Sequence, residues 1–450
     1  MKRKYDVLVA GAGPSGMAAA VAAAREGASV LLIEKNGCPG GMNTMGMVCP
    51  LMTFHAGAHQ VVKGFAQEVV DCLAVRGATL GHIPDPIGMV STITPVDTEM
   101  LKLVYFDLLR EEKGITVLLY TMLESAEYED GQIKSVTVVN KSGKETYTAR
   151  NYIDATGDGD LAAMCGADFM IGRIKDGMPQ PMTLMFSVGG VDIPQIVKYV
   201  RKNPEQFIMN RACDLDQYLA VSGFFSLVEQ AKNNGDFSLP RDRVLLFQGM
   251  RPNEVVVNMT RISYLSSVNA KDLTAAEFES HKQAEETLLF LRKYVPGFAN
   301  CYLSAFAAQT GIRESRRIKG LKTLTLKHVL NNVEHKDSVA MCAFPVDIHD
   351  PAGNELNWMR KEKICCYDIP YGVMVPLEFH NLLVTGRCIS ASHEALASVR
   401  ISVTAMALGE AAGITAALTS KNNCKVDQVD IDELQKTLVK RGAVPGKRWL

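Results

Sequence analysis

The sequence predicts an α/β protein in which a Rossmann-like parallel sheet carries an inserted α+β unit. Two observations predict it. The first is a complete strand–loop–helix–strand unit, "YDVLVAGAGPSGMAAAVAAAREGASVLLIEK", from Tyr5 to Lys35. The second is a change of texture further on, where "MTLMFSVGGV", "RVLLFQG" and "EVVVNMTRI" read as strands of a mixed sheet separated by polar helical segments. At 450 residues and 47% apolar content, the chain can bury an extensive core spread over roughly two or three units.

Val7 to Ala10 is a short apolar run without polar alternation, the pattern of a strand covered on both faces. G-x-G-x-x-G follows at Gly11, Gly13 and Gly16. Gly11 permits the tight turn, Gly13 lets a pyrophosphate approach the backbone, and Gly16 lets the next helix pack on the strand. Pro14 and Ser15 open that helix, whose free N–H groups and positive dipole end suit an anion. The helix is rich in alanine, and Gly27 supplies a left-handed cap. The second strand ends at Glu34, where a carboxylate can accept hydrogen bonds from a ribose diol, and Lys35 follows. Lys2, Arg3 and Lys4 ahead of an apolar run also resemble a secretory leader. Asp6 and the glycines of the loop would break the helix such a leader needs.

Charge narrows the partners. Lys and Arg total 48 against 49 Asp and Glu, a net charge of −1, so no broad basic field attracts nucleic acid or an anionic membrane. Eleven cysteines are scattered without a C-x-x-C, and only Cys365 and Cys366 are adjacent, which argues against iron–sulfur and zinc sites. The reducing cytoplasm is the expected compartment. No uninterrupted apolar run is long enough to span a bilayer, so no membrane partner is expected.

These residues alone leave FAD and NAD open. After Glu34 comes "KNGCPGGMNTMG", in which Gly40, Gly41, Met42 and Asn43 can bring backbone to a second part of the ligand. "YIDATGDGDLAA" reads as a strand leading into Thr156, Gly157 and Asp158, and "NLLVTGRCISASHEALASVRISVTAMALGEAAG" runs from Asn381 to Gly413. With these motifs the chain resembles the FAD-dependent oxidoreductases of the glutathione-reductase-like FAD/NAD(P)-binding fold. It is similar to the fumarate reductase and succinate dehydrogenase flavoproteins and, more closely, to the group that includes the flavin part of heterodisulfide reductase. "GIRESRRIKG" at Gly311 to Gly320 adds to the likeness, which covers both ends well and the middle loosely. The resemblance implies FAD as cofactor, with Gly386 and Arg387 in the last flavin-binding turn. Arg387 stands where related enzymes often carry an acid. There is no second G-x-G-x-x-G for a separate NADPH domain. Asn43 and Val48 occupy the places of the redox cysteines of disulfide reductases, and Cys49 has no partner nearby in sequence.

The resemblance also directs attention to the catalytic candidates. A helix over 402–418 carries no charge in its first turn and can aim its N-terminal dipole at the flavin edge. His393 and Arg400 fall in the loop before it. His393 is the proton-transfer candidate, its other reading being a hydrogen bond to the flavin carbonyl. Arg400 and Arg313 are candidate anchors for a carboxylate or polarised oxygen, although "RESRR" also reads as a basic helix start pairing with Glu314. Asp347, His349 and Asp350 read as a turn and not a metal site, His55 and His59 as surface residues, and Tyr371 as a core aromatic. No metal is expected.

The expected organisation is an FAD-binding domain over 1–165 and 360–420, a substrate cap over 166–359, and a polar tail over 421–450. Within the cap, Thr274 and Glu277 mark a capping box that starts a long helix. Phe278, Leu288, Leu291 and Val295 form its apolar face, and Pro296 stops it. Residues Asn43 to Gly57 form an adaptable loop rich in Met and Gly. The function read from this is hydride transfer between a small organic substrate and flavin N5, as a dehydrogenase using a separate, unidentified electron donor or acceptor. The alternatives are an electron-relaying flavoprotein subunit and a non-catalytic flavin binder. Self-association into a homo-oligomer is left open.

Overall fold

The computed structural model describes residues 3–349, 356–359 and 366–450. Strand β1 (Arg3–Ala10) runs into helix α1 (Pro14–Arg25) and strand β2 (Val30–Ile33). Val7 to Ala10 pair in parallel with Val30 to Ile33, as a right-handed β–α–β crossover requires. Helices α2 (Phe65–Val75) and α3 (Thr98–Glu111) follow, and β3 (Ile115–Leu118) extends the sheet beyond β2. The antiparallel strands β4 (Met122–Glu129) and β5 (Gln132–Asn140) lead into β6 (Gly143–Asp154), which lies parallel to β1 on its other side.

A second sheet is built from the middle of the chain. Its strands are β7 (Phe186–Gly189), β8 (Phe207–Ile208), β9 (Ala220–Gly223), β10 (Val244–Gln248), β11 (Val255–Val257) and β12 (Tyr302–Phe306). They form one six-stranded sheet in the order β8-β9-β10-β11-β7-β12. Between β11 and β12 lies helix α4 (Ala270–Tyr294). It starts earlier than the capping-box pattern predicts, because Asn269 accepts the N–H groups of Lys271 and Asp272 and so caps it first. Phe278 is 78% exposed. Leu291 and Val295 are buried and Leu288 packs beside them, but the buried face also takes in Ala276, Ala284 and Phe290 and the polar Ser280, Gln283 and Thr287, so apolarity marks it only in part. "RESRR" is not a helix start, since Arg317 and Ile318 pair as a short strand with Met170 and Phe169.

The chain then returns to the first sheet. A short strand β13 (Val346–His349) precedes β14 (Leu382–Val384), which pairs in parallel with Tyr152 to Asp154 of β6. Helices α5 (His393–Val399), α6 (Ser402–Asn422) and α7 (Ile431–Lys440) complete the fold. His393 and Arg400 therefore begin and end a helix, where the sequence suggests a loop. α7 is not wholly a surface helix, because Leu434 and Leu438 are buried. α6 is long and apolar enough to cross a bilayer, the one such helix among the described residues, and lies almost wholly inside the fold.

Helix α6 packs directly on α1. A Cβ on Gly409 would lie 2.0 Å from the carbonyl oxygen of Ser15, and one on Gly413 would lie 2.2 Å from that of Ala19. The alanines of α1 leave the same face flat, so the two helix backbones touch. Asn151 of β6 clamps α6 by donating to the Ala416 carbonyl and the Thr419 hydroxyl, each at 2.9 Å. Gly413→Ala is expected to force the helices apart at a cost of roughly 1–3 kcal/mol, read as a lower Tm with weaker flavin retention.

Beside the α1 contact α6 carries Glu410, which accepts the N–H of Phe65 at 3.1 Å and so caps α2 from another part of the chain. Burial raises this carboxyl from 4.5 to about 7. The native state therefore holds a proton that the unfolded chain releases, and stability from this group is lost as pH rises between those values. Glu410→Gln keeps the acceptor and removes the charge. The variant should gain up to roughly 3 kcal/mol above pH 7 and nothing near pH 4.5, which thermal melts across that range would measure.

Candidate active site

The ends of β1, β6 and β14 meet at the N-terminus of α1. Gly11 has φ +95°, and a Cβ there would lie 2.6 Å from the Ala155 carbonyl oxygen. A Cβ on Gly13 would meet nothing within 4 Å. That is open space beside a helix start with Pro14 at its first turn and no side-chain cap. Gly386, at φ +81°, lies against the Ser15 hydroxyl. The second glycine pair is tied in as well, since the Gly40 N–H donates to the Ala12 carbonyl at 2.7 Å and the Met45 N–H to that of Gly41.

Glu34 is 5% exposed and accepts the N–H groups of Ala12 and Asn36, each at 2.8 Å. Its carboxylate is thus fixed at the edge of the loop, while Lys35 is exposed. Sequence reading passed over Asp154, which organises the neighbouring turn. It accepts from the Thr156 N–H and hydroxyl and from the Ala162 N–H, and burial pushes its carboxyl up to about 6. Asp158 pairs with Arg387 at 2.7 Å, and Arg387 also donates to the Ile312 carbonyl. Asn43 Nδ2, Thr385 Oγ1 and Arg387 Nε are buried without a partner. Open space at Gly13, an uncapped α1 and these unpaired polar atoms fit an extended adenine dinucleotide. Gly11 to Gly16 and Gly41 would hold its pyrophosphate, Glu34 its ribose, and Asn43, Thr385 and Arg387 the flavin half.

A cavity of about 230 Å³ opens between this cradle and the second sheet. Met42 and Ser402 line it from the cradle, and Arg241 and Phe247 from the inserted sheet. Arg313, Arg387 and Arg400 also line it, together with Asp347 and His349. Asp347 and His349 stand on one face of strand β13, not in a turn. Asp350 lies outside the described residues, as does Cys365.

The cavity is a charge cluster taken out of water. His349 Nε2 is 3.0 Å from Asp347 Oδ2, and Arg400 approaches the same oxygen at 3.6 Å. Burial alone would raise the Asp347 carboxyl. The bond from His349 and the charges of Arg400 and Arg313 hold it below the ordinary range. Burial and Arg313 push His349 down to about 3, so at neutral pH its ring is uncharged and its Nε2–H donates to an ionised Asp347. Burial, with Arg400 and Arg241 close by, pushes the Arg313 guanidinium well down. Among the described residues Arg313 donates to the Pro181 carbonyl and the Thr183 hydroxyl, at 2.7 and 2.6 Å.

His393 does not line this cavity. It is 5% exposed, and its Nδ1 lies 2.8 Å from Glu314, off the line of a hydrogen bond. Glu314 also binds Arg317. Tyr371 is buried and donates to the Val426 carbonyl, His55 bonds Thr92, and His59 is exposed. Cys49 lines the cavity as a free thiol that burial pushes up to about 12.

Solved structures to which the chain is similar include a geranylgeranyl bacteriochlorophyll reductase-like protein from Thermoplasma acidophilum. It is 14% identical, with TM-score 0.46, over 98% of this chain and 85% of its own. A p-nitrophenol 4-monooxygenase from Pseudomonas putida is 12% identical, with TM-score 0.48, over 98% and 84%. A flavoprotein/dehydrogenase from Cytophaga hutchinsonii is 13% identical, with TM-score 0.44, over 96% and 83%. No curated protein sequence matches. The family model described as FAD dependent oxidoreductase matches residues 6–438, and with the dinucleotide cradle in place the chain belongs to that family, with FAD as its cofactor.

Proposed function

We propose that this FAD-dependent oxidoreductase is a dehydrogenase for a small organic anion. The observation that carries the reading is the set of buried and half-buried arginines facing the cavity beside Met42 and Ser402, two residues of the cofactor cradle. When bound, FAD supplies a two-electron acceptor or donor for a hydride. Arg313 and Arg400 orient the anion through their planar forks. Oxidation of the substrate releases one hydride and one proton. The proton goes to His349, whose uncharged ring can accept it once the bound anion offsets the charge of Arg313, while Asp347 stabilises the resulting cation. His349 takes the role that the sequence suggests for His393, because it faces the cavity and His393 does not. His393 lies against Glu314 instead. A separate carrier collects the electrons.

Anaerobic bleaching of the yellow holoprotein tests this reading. Organic acids carrying an oxidisable C–H should bleach it, and matched neutral compounds should not. Arg313→Met and Arg400→Met are each expected to lower kcat/KM by roughly 10- to 100-fold with flavin content retained. His349→Gln should lower kcat by about 10²–10⁴-fold, against little change for His393→Gln. Equal bleaching by neutral alcohols or amines, unaffected by the arginine variants, would refute the reading.

A further inference from the structure

The cavity has two chemically different ends. Arg387 is neutralised by Asp158 at 2.7 Å and Arg243 by Asp242 at 2.7 Å. Arg400 shares Asp347. Arg241 is 6% exposed, and among the described residues its guanidinium donates to the carbonyls of Met259 and Thr260. Arg313, as described above, reaches one carbonyl and one hydroxyl. Backbone carbonyls offset a full positive charge only partly, so among the described residues neither the buried Arg241 nor the half-buried Arg313 has a carboxylate at ion-pair distance.

The other end is apolar. Ile87 and Phe247 belong to a buried cluster with Ile83, Ile93, Tyr218 and Ala220, and Met89 and Leu245 pack on it. Ile87, Met89, Leu245 and Phe247 all line the cavity. The carboxylate within this wall is Asp85, which is 1% exposed and accepts the N–H groups of Ile87, Met89 and Val90. It holds its own loop together and would repel a second anionic group placed there.

We propose that the cavity takes a monocarboxylate with an extended apolar body, its carboxylate held by Arg313 with Arg241 and Arg400 beside it and its body along Ile87, Met89, Leu245 and Phe247. This rests on the reading of the site as one for a small organic anion, and narrows it. A short dicarboxylate fits poorly, because its second charge would meet apolar side chains and Asp85. Arg241 and the wall residues come from the inserted unit and the loop before α3. The insertion therefore selects the substrate, while the cradle supplies the redox chemistry.

Binding tests the proposal without turnover. The probes are straight-chain monocarboxylates from acetate to decanoate, with octanol and octanedioate as controls. Dissociation constants are read from perturbation of the flavin spectrum of the holoprotein and checked by calorimetry. Affinity should rise about threefold to fourfold per methylene until the wall is covered. Octanol and octanedioate should each bind at least tenfold more weakly than octanoate. Arg241→Gln should weaken octanoate at least tenfold and leave octanol unchanged. Phe247→Ala should flatten the chain-length slope and leave acetate unchanged. Equal affinity for acetate and octanoate would overturn the proposal while leaving the anion reading intact, as would tighter binding of octanedioate. Binding that follows the series, with no acid able to bleach the flavin, would uphold the proposal and remove the dehydrogenase reading.

Discussion

The contact on which the molecule depends is the backbone-to-backbone approach of α1 and α6. Gly409 and Gly413 have no Cβ, and the opposing carbonyls of Ser15 and Ala19 leave no room for one. This contact brings Ser402, at the start of α6, to the Asn43 side chain, to which its hydroxyl donates. It also brings Gly386 against Ser15. A cradle for one long cofactor is thus assembled from segments that lie hundreds of positions apart in sequence. β14 and Asn151 support the same join from the sheet side. Small residues act here through what they omit, since dispersion and close approach replace the usual interlocking of large side chains.

The electrostatics of the cavity follow from burial. Buried arginines cannot lose their protons as lysines do, so their charge must be met by a partner or by a ligand. Asp347 answers Arg400 and, at longer range, Arg313, and in doing so it fixes which nitrogen of His349 carries hydrogen. An uncharged imidazole held in place by an ionised carboxylate is a base with one defined acceptor, as proton transfer requires. The same surroundings that suppress a charge on the free ring would be relieved by an incoming anion. Substrate binding and the basicity of His349 are therefore linked through the shared arginines.

The parts of the site governed by local sterics were readable in the sequence. Gly11, Gly13 and Gly16 follow a strand and open a helix at fixed spacing, and Glu34 ends the next strand. Each answers a requirement of a few neighbouring atoms. Arg313 was a candidate from the sequence, but Arg241 could not be found that way, because it lines the cavity from a separate element and no spacing rule joins the two. The Asp347–His349 pair was hidden by its composition, which suits a turn. The two-residue period of V-D-I-H was the available signal, as it puts both side chains on one face of a strand. Phe278 misled for the opposite reason. An apolar side chain was taken as core, while α4 buries Ser280 and Gln283 through hydrogen bonds to Thr310 and the Arg261 backbone.

The close seat of α6 on α1 has a consequence for how the protein is made. Translation delivers the amino-terminal β–α–β unit first, with its phosphate loop exposed and one side of α1 bare. The helix that covers that side emerges only when Asn422 has been added, after the whole insertion has left the ribosome. Until then the nascent chain has half a cradle, so the flavin pocket can close only after the residues through α6 have been made.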